Sequence, residues 1–282
     1  MIDFHTHPIL VEEIVGNDEA LLRAVRDVFK MGSSLQPLET FLLQMDAAGI
    51  EKAVLLPIDC STTKGCRILS NEDIVKLCKE NERFIGFASV DPHKENAPQE
   101  LDYAIKELGL KGLKLDPGLQ EFYPNDKKLA YPIYEAASRL KIPVIIHTGL
   151  SWESNTMIKY SMPLLVEDVA HDFPKLNIVI AHFGWPWVLD SVALALKYPN
   201  VFIDTAAHYL DTPKEFMEFV LTKQVPITAV ERSLRTKILF GSNYPRIEIR
   251  KMVDAIKAIG LTEGCLNLIF KENAQRLLNI QQ

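Results

Sequence analysis

Met1-Ile-Asp-Phe-His-Thr-His-Pro8 combines a strand pattern with two imidazoles. Alternate side chains of a strand point to one face, so Asp3, His5 and His7 are expected to share a face of a strand over Ile2–His7. Neutral imidazole is a good ligand for zinc and similar metals, and two ligands on one rigid strand lose little freedom on binding. From this stretch alone, a metal site and a chance pair of histidines at the end of a strand are equally good explanations.

Seven further apolar runs are bounded by turn residues and followed by helical patterns. Their continuous apolarity is typical of strands covered on both faces. Eight alternating strand and helix units predict an α/β fold, a (β/α)8 TIM barrel, as a single domain over residues 1–282. The predicted strands are Ile2–His7, Ala53–Pro57, Phe84–Val90, Leu113–Asp116, Val144–Thr148, Ile178–His182, Val201–Thr205 and Ile238–Gly241. A doubly wound open sheet is the alternative, but no glycine-rich phosphate loop follows any strand.

The predicted barrel is interrupted in two places. A helical insertion after the first strand holds two helices, Asn17–Met31 and Pro37–Ala48, where one is usual. A second excursion, Leu150–Met162, follows the fifth strand. Both leave the carboxyl ends of strands, where barrel enzymes place their substrate loops.

The composition excludes several classes of function. The chain has 282 residues, 48% hydrophobic and 24% charged, as a globular protein with a large core does. A formal charge of -6 argues against nucleic-acid binding. No run approaches the roughly 20 apolar residues of a membrane helix and no signal-peptide pattern is present, so neither membrane nor secretion is expected and the prediction is a cytoplasmic protein. Cys60, Cys66, Cys78 and Cys265 lack CxxC spacing and are expected to be reduced thiols, with a Cys60–Cys66 metal pair as the less favoured alternative.

Polar residues collect at the ends of the predicted strands, where barrel enzymes carry their chemistry. Four of the seven histidines lie there, namely His5, His7, His147 and His182. The other polar residues at strand ends are Lys114, Asp116, Asp204, Ser242 and Asn243.

The order of these motifs resembles a known family. It comprises HxH at 5–7, His-Thr-Gly at 147–149, Ala-His-Phe-Gly at 181–184 and Gly-Ser-Asn-Tyr-Pro at 241–245. This order is similar to that of the amidohydrolase superfamily, and more closely to the amidohydrolase-related (amidohydrolase 2) branch around aminocarboxymuconate-semialdehyde decarboxylase. The resemblance covers nearly the whole chain. It implies a TIM barrel, a homodimer and a single divalent metal ion; nitrogen ligands favour zinc, with manganese, iron or cobalt as alternatives.

Carried over residue by residue, the resemblance makes His5, His7 and His147 metal ligands and His182 the acid/base or substrate-polarising histidine. The chain departs from the family at Asn243, where an aspartate normally binds the metal and serves as base. An amide oxygen can ligate but cannot take a proton at neutral pH. A three-histidine centre can still activate water, with His182 managing the proton, and its higher charge favours anionic substrates. The alternative is a degenerate relative with weak metal binding.

Four further residues are candidates for supporting roles. Lys114 is expected to contact substrate or to form an ion pair with Asp116. Arg246 is expected to add positive charge for an anionic substrate. Asp204 is predicted to orient one of the histidines His182 and His147 or simply to accept a strand-end hydrogen bond. Trp185 can contact a planar substrate or pack the barrel rim.

These residues favour a metal-dependent hydrolase of a small anionic amide, ester or lactone that uses metal-activated water. The alternative enzyme is a non-oxidative decarboxylase of an unsaturated or aromatic carboxylic acid. A hypothesis of another class is a non-catalytic, carboxylate-binding barrel with a degenerate metal site. Release of carbon dioxide, uptake of label from water and elemental analysis distinguish the three.

Overall fold

The computed structural model describes residues 1–16 and 18–280 and has eight parallel strands at its centre. In chain order the strands are β1 (Ile2–Thr6), β2 (Lys52–Leu55), β3 (Ile58–Cys60), β4 (Cys66–Ile68), β5 (Phe84–Gly86), β6 (Leu113–Leu115), β7 (Val144–Ile146), β8 (Ile178–Ile180), β9 (Val201–Asp204) and β10 (Ile238–Leu239). β1, β2 and β5 pair in one sheet, and β6 to β10 pair in chain order in a second. All eight predicted strands are confirmed, each at or within its predicted bounds apart from β2, which begins one residue earlier.

Backbone hydrogen bonds join the two sheets on both sides. Phe4 N donates to Phe240 O at 2.8 Å between β1 and β10. Between β5 and β6, Ala88 N donates to Gly112 O and Lys114 N donates to Ala88 O, both at 2.8 Å. The strands therefore form the predicted (β/α)8 barrel, and their carboxyl ends meet at one face.

The barrel interior is filled by apolar side chains at its amino-terminal and middle levels. Phe4 and Phe87, for example, meet edge to face with their ring centroids 5.7 Å apart. Burying each such side chain contributes about 1.5–3 kcal/mol to stability. Ala274 and Leu277 of the last helix belong to the same buried cluster. With this core in place, polar side chains are left to the carboxyl ends of the strands.

The helical insertion between β1 and β2 is confirmed. It consists of Glu12–Val15, Glu19–Arg23 with a π-helical continuation over Ala24–Val28, and Leu38–Ala48. The helix predicted over Asn17–Met31 is therefore shorter in the structure than in the prediction. Asn17 lies outside the described residues. So do Gln281 and Gln282, the last two residues of the predicted domain.

The remaining helices surround the barrel. They are Ser61–Lys64, Asn71–Glu80, Ala97–Lys106, Pro117–Gln120, Tyr131–Leu140, Leu165–Asp172, Val188–Lys197, Pro213–Glu218, Ile227–Ala229, Ile249–Lys257, Glu263–Asn267 and Asn273–Leu278, with 3-10 turns at Ile158–Ser161 and Ala181–Gly184 and π-helical segments at Phe219–Gln224, Val230–Leu234 and Leu268–Glu272. None of the helices in the described ranges is long and apolar enough to cross a membrane.

The antiparallel hairpin β3–β4 was not predicted. Its strands pair from Ile58 opposite Ile68 to Cys60 opposite Cys66, with the short helix Ser61–Lys64 between them. Gly65 closes this helix in the left-handed conformation, at φ 68°.

Candidate functional site

The carboxyl ends of the strands line a narrow cleft, in which about 30 Å³ is open to a sphere the size of a water molecule. Its lining residues come from most of the strand ends, from the insertion and from the excursion after β7. They are His7, Phe29, Lys114, Asp116, His147, Leu150, Ser151, Trp152, Glu153, His182, Ala207, Tyr209, Asn243 and Arg246. Most of the residues singled out in the sequence therefore lie around one cleft.

Four buried imidazoles form a continuous cluster beside this cleft. His5 Nε2 lies 3.2 Å from His7 Nε2, and His182 Nε2 lies 3.1 Å from His147 Nδ1. The rings of His5 and His182 connect the two pairs, with centroids 4.9 Å apart. Burial is the main reason that the pKa of each ring lies below its usual value, so all four are neutral near pH 7.

The hydrogen bonds of His5 and His7 determine where their protons lie. His5 Nδ1 is 2.7 Å from Asp204 Oδ2, and His7 Nδ1 is 2.8 Å from Leu56 O. Because both partners are oxygen acceptors, Nδ1 carries the proton in each neutral ring. The two Nε2 atoms then direct lone pairs at each other over 3.2 Å, an arrangement that a cation would stabilise.

His147 offers a third lone pair of the same kind. His182 Nδ1 donates to Ala206 O at 3.0 Å, so His182 Nε2 accepts a hydrogen bond from the Nδ1–H of His147. His147 Nε2 is then unprotonated, and within the described residues it is buried without a partner. Burial lowers the pKa of His147 to about 3. The three nitrogens without a proton, on His5, His7 and His147, are of the type that a divalent metal preferring imidazole would take, but among the described residues these three do not form a group whose ligand atoms lie within 4.8 Å of one another.

A second grouping of possible ligands overlaps with this one. Atoms of His5, His182 and Asp204 lie within 4.8 Å of one another. In this group, however, the Nδ1 atoms of both histidines are engaged in hydrogen bonds, and His182 Nε2 accepts from His147. Asp204 Oδ1 also accepts from the backbone N–H of His182 at 2.7 Å. Asp204 therefore positions the His5 ring and accepts hydrogen bonds from the backbone at its strand end, which is the second of its two predicted roles; the first, orientation of the His182 or His147 ring, is not seen among the described contacts.

Asp3 does not join the cluster. Relative to β2, the pairing register of β1 shifts between Asp3 and Thr6, which interrupts the alternation expected over Ile2–His7. The Asp3 carboxylate instead accepts hydrogen bonds from the backbone N–H groups of His5 and Ser242, at 3.2 and 3.0 Å. The expectation that Asp3, His5 and His7 share one regular strand face is wrong for Asp3.

Lys114 is a buried cation at the cleft. Its side chain is 1% exposed, and in the described part of the chain its ammonium forms no ion pair within 4.0 Å. The predicted ion pair with Asp116 is therefore not formed; Asp116 Oδ1 instead accepts from Leu119 N at 3.0 Å. Burial lowers the pKa of Lys114, while the negative charges of Asp116 and Asp204 oppose this shift. Such a group gains most from an anionic partner in the cleft.

Arg246 also lines the cleft, but its charge is already compensated. One guanidinium nitrogen donates to Glu153 Oε1 and to Phe29 O, and the guanidinium lies 4.5 Å from the centroid of the Phe29 ring. Arg246 therefore does not add the free positive charge that the sequence predicted. Glu153 and Phe29 were missed, because nothing in the excursion or the insertion identifies their partner.

Aromatic side chains form the outer wall of the cleft. Trp185 stacks on Tyr209 with centroids 4.9 Å apart and does not itself line the cleft, so a direct substrate contact by Trp185 stays a prediction. Tyr209 and Trp152 do line it, and Tyr209 donates to Leu150 O at 2.6 Å. Tyr209 was missed because it follows a strand end without a motif.

Asn243 lies at the junction of β10 and β1. Its backbone N donates to His5 O at 2.9 Å, and its φ of 64° is one that asparagine and aspartate adopt more readily than other non-glycine residues. The side chain lines the cleft next to the imidazole cluster.

A protein-family model described as amidohydrolase matches residues 2–280. Among curated proteins, a 2-amino-3-carboxymuconate-6-semialdehyde decarboxylase of Dictyostelium discoideum is 34% identical over 141 residues, covering 43% of this chain and 39% of the relative. A 2-keto-4-carboxy-3-hexenedioate hydratase of Sphingobium sp. is 28% identical over 193 residues, covering 58% and 50%. The chain spans no more than about half the length of the curated relatives it matches.

Solved structures match over nearly their whole length. An uncharacterized TIM-barrel protein of Bordetella bronchiseptica has a TM-score of 0.78 at 24% identity, covering 99% of this chain and 98% of that one. A dihydroxybenzoic acid decarboxylase of Polaromonas sp. JS666, with bound manganese and an inhibitor, has a TM-score of 0.68 at 17% identity, covering 100% and 97%. At these identities the likeness establishes the fold alone. The enzymes named among these relatives are decarboxylases and a hydratase.

Proposed function

Because the chain belongs to the amidohydrolase family, we propose that it is a metal-dependent, non-oxidative decarboxylase of a small unsaturated or aromatic carboxylic acid. The observation that carries the proposal is the buried Lys114 ammonium, which lines the same cleft as the imidazole cluster. This arrangement suits an anionic substrate. The reactions named for the relatives support the reaction class.

His5, His7 and His147 are the residues that would hold the metal, through the three nitrogens left without a proton or partner. When bound, a divalent ion supplies a positive centre that stabilises negative charge developing on substrate oxygens. Imidazole ligands suit zinc, and the manganese bound in the structural relative supports manganese as the second candidate.

The remaining cleft residues bind and orient the acid. Lys114 would pair with a carboxylate or phenolate oxygen that the substrate retains, because a cation on the departing carboxylate would oppose its loss of charge. The rings of Phe29, Trp152 and Tyr209 offer apolar surface to a planar carbon skeleton and exclude water.

In the reaction, the bond between the substrate carbon and its carboxyl group breaks and carbon dioxide leaves. The electron pair stays on the carbon, delocalised into the adjoining double bond or ring, and a proton then forms the new C–H bond. We assign the transfer of this proton to His182: its Nε2 carries no proton while it accepts a hydrogen bond from His147, so the ring first takes a proton from solvent and then passes it to the carbon. Asn243 cannot supply it.

Hydrolysis is less well supported, because the reactions named for the relatives are decarboxylations and a hydration. An attacking water also needs a base, and since the amide of Asn243 cannot act as one at neutral pH, this role would fall on His182. Decarboxylation consumes no water, so this requirement does not arise.

The test uses purified protein loaded with manganese or zinc and offered 2,6-dihydroxybenzoate or 5-carboxyvanillate in deuterium oxide. We expect release of carbon dioxide and one deuterium on the carbon that lost it, measured by mass spectrometry. A panel of small amides, esters and lactones run in H2-18O provides the comparison. Uptake of 18O into a product carboxylate without carbon dioxide would establish the hydrolase. Binding of carboxylates without any turnover would establish the non-catalytic barrel.

The two ligand groupings are separated by His147→Ala and His182→Ala, with the exposed His171→Ala as control. We expect His147→Ala to lose the metal, and His182→Ala to retain it while losing turnover. The control should resemble the wild type. If His182→Ala loses the metal and His147→Ala keeps it, the ligands are His5, His182 and Asp204 instead.

A further inference from the structure

Two cysteines face each other across the hairpin β3–β4, outside the cleft. Cys60 and Cys66 are direct partners in the antiparallel ladder, and their sulfur atoms are 3.9 Å apart. Directly opposed residues in such a ladder have Cα atoms about 4.5–5.5 Å apart, within the range of about 4.4–6.8 Å found in disulfides. The backbone is therefore already spaced for a disulfide, and only the side chains must approach.

The two thiols differ in access to solvent. Cys60 is fully buried, whereas Cys66 is partly exposed and lines an open surface groove between the hairpin and the insertion helix Glu19–Arg23. Lys64 and Arg67 line the same groove. A small oxidant can thus reach Cys66 from solvent, while Cys60 lies behind it.

The contact between the two thiols also makes one of them easier to ionise than the other. The hydrogen bond from Cys60 lowers the pKa of the Cys66 thiol, and the nearby charge of Lys64 acts in the same direction. The same hydrogen bond, together with burial, raises the pKa of Cys60. Because the thiolate is the nucleophile, Cys66 is the residue that reacts first.

We propose that Cys60 and Cys66 form a reversible dithiol–disulfide pair that hydrogen peroxide oxidises. The Cys66 thiolate attacks one peroxide oxygen, so that an S–O bond forms, the O–O bond breaks and hydroxide leaves as water after taking a proton. The Cys60 sulfur then attacks the Cys66 sulfur. The S–S bond forms, the S–O bond breaks, and the Cys60 proton leaves with the hydroxide as a second water. In total the two thiols lose two electrons and two protons to the peroxide.

This property is independent of the proposed decarboxylase activity, and its test measures only thiols and mass. Reduced, full-length protein is treated with hydrogen peroxide, denatured and alkylated, and its intact mass and peptides are analysed. We expect loss of two of the four thiols, a mass decrease of about 2 Da before alkylation, and a peptide linking Cys60 to Cys66, all reversed by dithiothreitol.

Variants assign the roles. Cys66→Ser should leave Cys60 unmodified, because Cys60 is buried, and Cys60→Ala should give sulfenic or sulfinic acid on Cys66 without a disulfide. The matched control, Cys78→Ser, removes a partly buried thiol elsewhere and should oxidise at the wild-type rate. The proposal is overturned if wild-type protein gains oxygen without forming the disulfide, or if Cys78 or Cys265 reacts as fast as Cys66.

Discussion

Replacing Asp204 with asparagine is expected to weaken metal binding by changing the tautomer of His5. Asp204 Oδ2 accepts from His5 Nδ1 at 2.7 Å, and its Oδ1 accepts from the backbone N–H groups of His182 and Ala206 at 2.7 and 3.1 Å. Both oxygens thus face hydrogen-bond donors. Asparagine replaces one of them with an NH2 group, which is itself a donor.

Neither orientation of the asparagine preserves the site. With NH2 toward His5, the His5 proton moves to Nε2, and the lone pair facing His7 is lost. With NH2 toward the backbone, two buried donors lose their acceptor, at about 1–3 kcal/mol each. Loss of such partners of metal-ligating histidines typically weakens metal binding about 10- to 100-fold. We expect the metal Kd to rise in this range, which corresponds to about 1.4–2.8 kcal/mol.

The Kd is measured by competition with a chromophoric chelator, using zinc and manganese in turn. The matched control is Thr205→Val, which changes a buried polar residue at the next position; within residues 1–16 and 18–280, Thr205 Oγ1 forms hydrogen bonds with the backbone of Gly241 and with no imidazole. We expect Thr205→Val to lower the free energy of unfolding but to keep the metal Kd within about twofold of wild type. An Asp204→Asn protein with a wild-type Kd for both metals would refute the tautomer argument.

Lys114→Met removes the buried ammonium and keeps the apolar stem of the side chain. We therefore expect 2,6-dihydroxybenzoate to bind about 10- to 100-fold more weakly in calorimetry, with unchanged metal content. An unchanged affinity would contradict a role of Lys114 in binding the acid. Asn243→Asp restores a carboxylate in a conformation that aspartate tolerates, so the metal Kd should fall and turnover should change; if chelator competition and rate assays show neither, Asn243 does not act at the metal. Asp59→Asn tests how the free energy of unfolding depends on pH. Burial acts to raise the pKa of Asp59, but hydrogen bonds from Ser61 and Arg67 lower it below its usual value. The carboxylate therefore stabilises the fold above its unfolded-state pKa of about 3.9, and this contribution disappears as pH falls through its lower folded-state pKa. Denaturant unfolding should show a loss of about 1 kcal/mol at neutral pH that shrinks in acid, and a loss that is constant with pH would contradict the ion pairing.

The central strands could be predicted because their signal is local. Val144–Ile146 and Ile178–Ile180 are continuous apolar runs between turn residues, and no partner is needed to recognise them. The helix Asn71–Glu80 likewise begins at a capping box formed by Ser70. The hairpin β3–β4 carries no such signal, because its three-residue strands contain Asp59 and exist only through their pairing with each other.

The site was predictable only in part. Barrel topology brings strand ends together, so the proximity of His147 and His182 follows from their positions in the sequence. Contacts made by loops do not follow, and the pairing of Arg246 with Glu153, on segments distant in sequence, shows this most clearly. The exclusion of Asp3 depends on a register shift that no side-chain pattern encodes.

The junction of β1 with β10 has a consequence for when the candidate metal site forms during folding. Asn243 N donates to His5 O, and His7 N donates to Tyr244 O, so the first and last strands of the barrel meet beside these histidines. His5 and His7 are synthesised before the other strands, and their neighbours across the junction follow only after almost all of the barrel has been made. Contacts over such sequence separations form slowly. Closure of the ring is therefore expected to come late in folding, and only then do His5 and His7 meet the backbone of Asn243 and Tyr244 beside the candidate metal site.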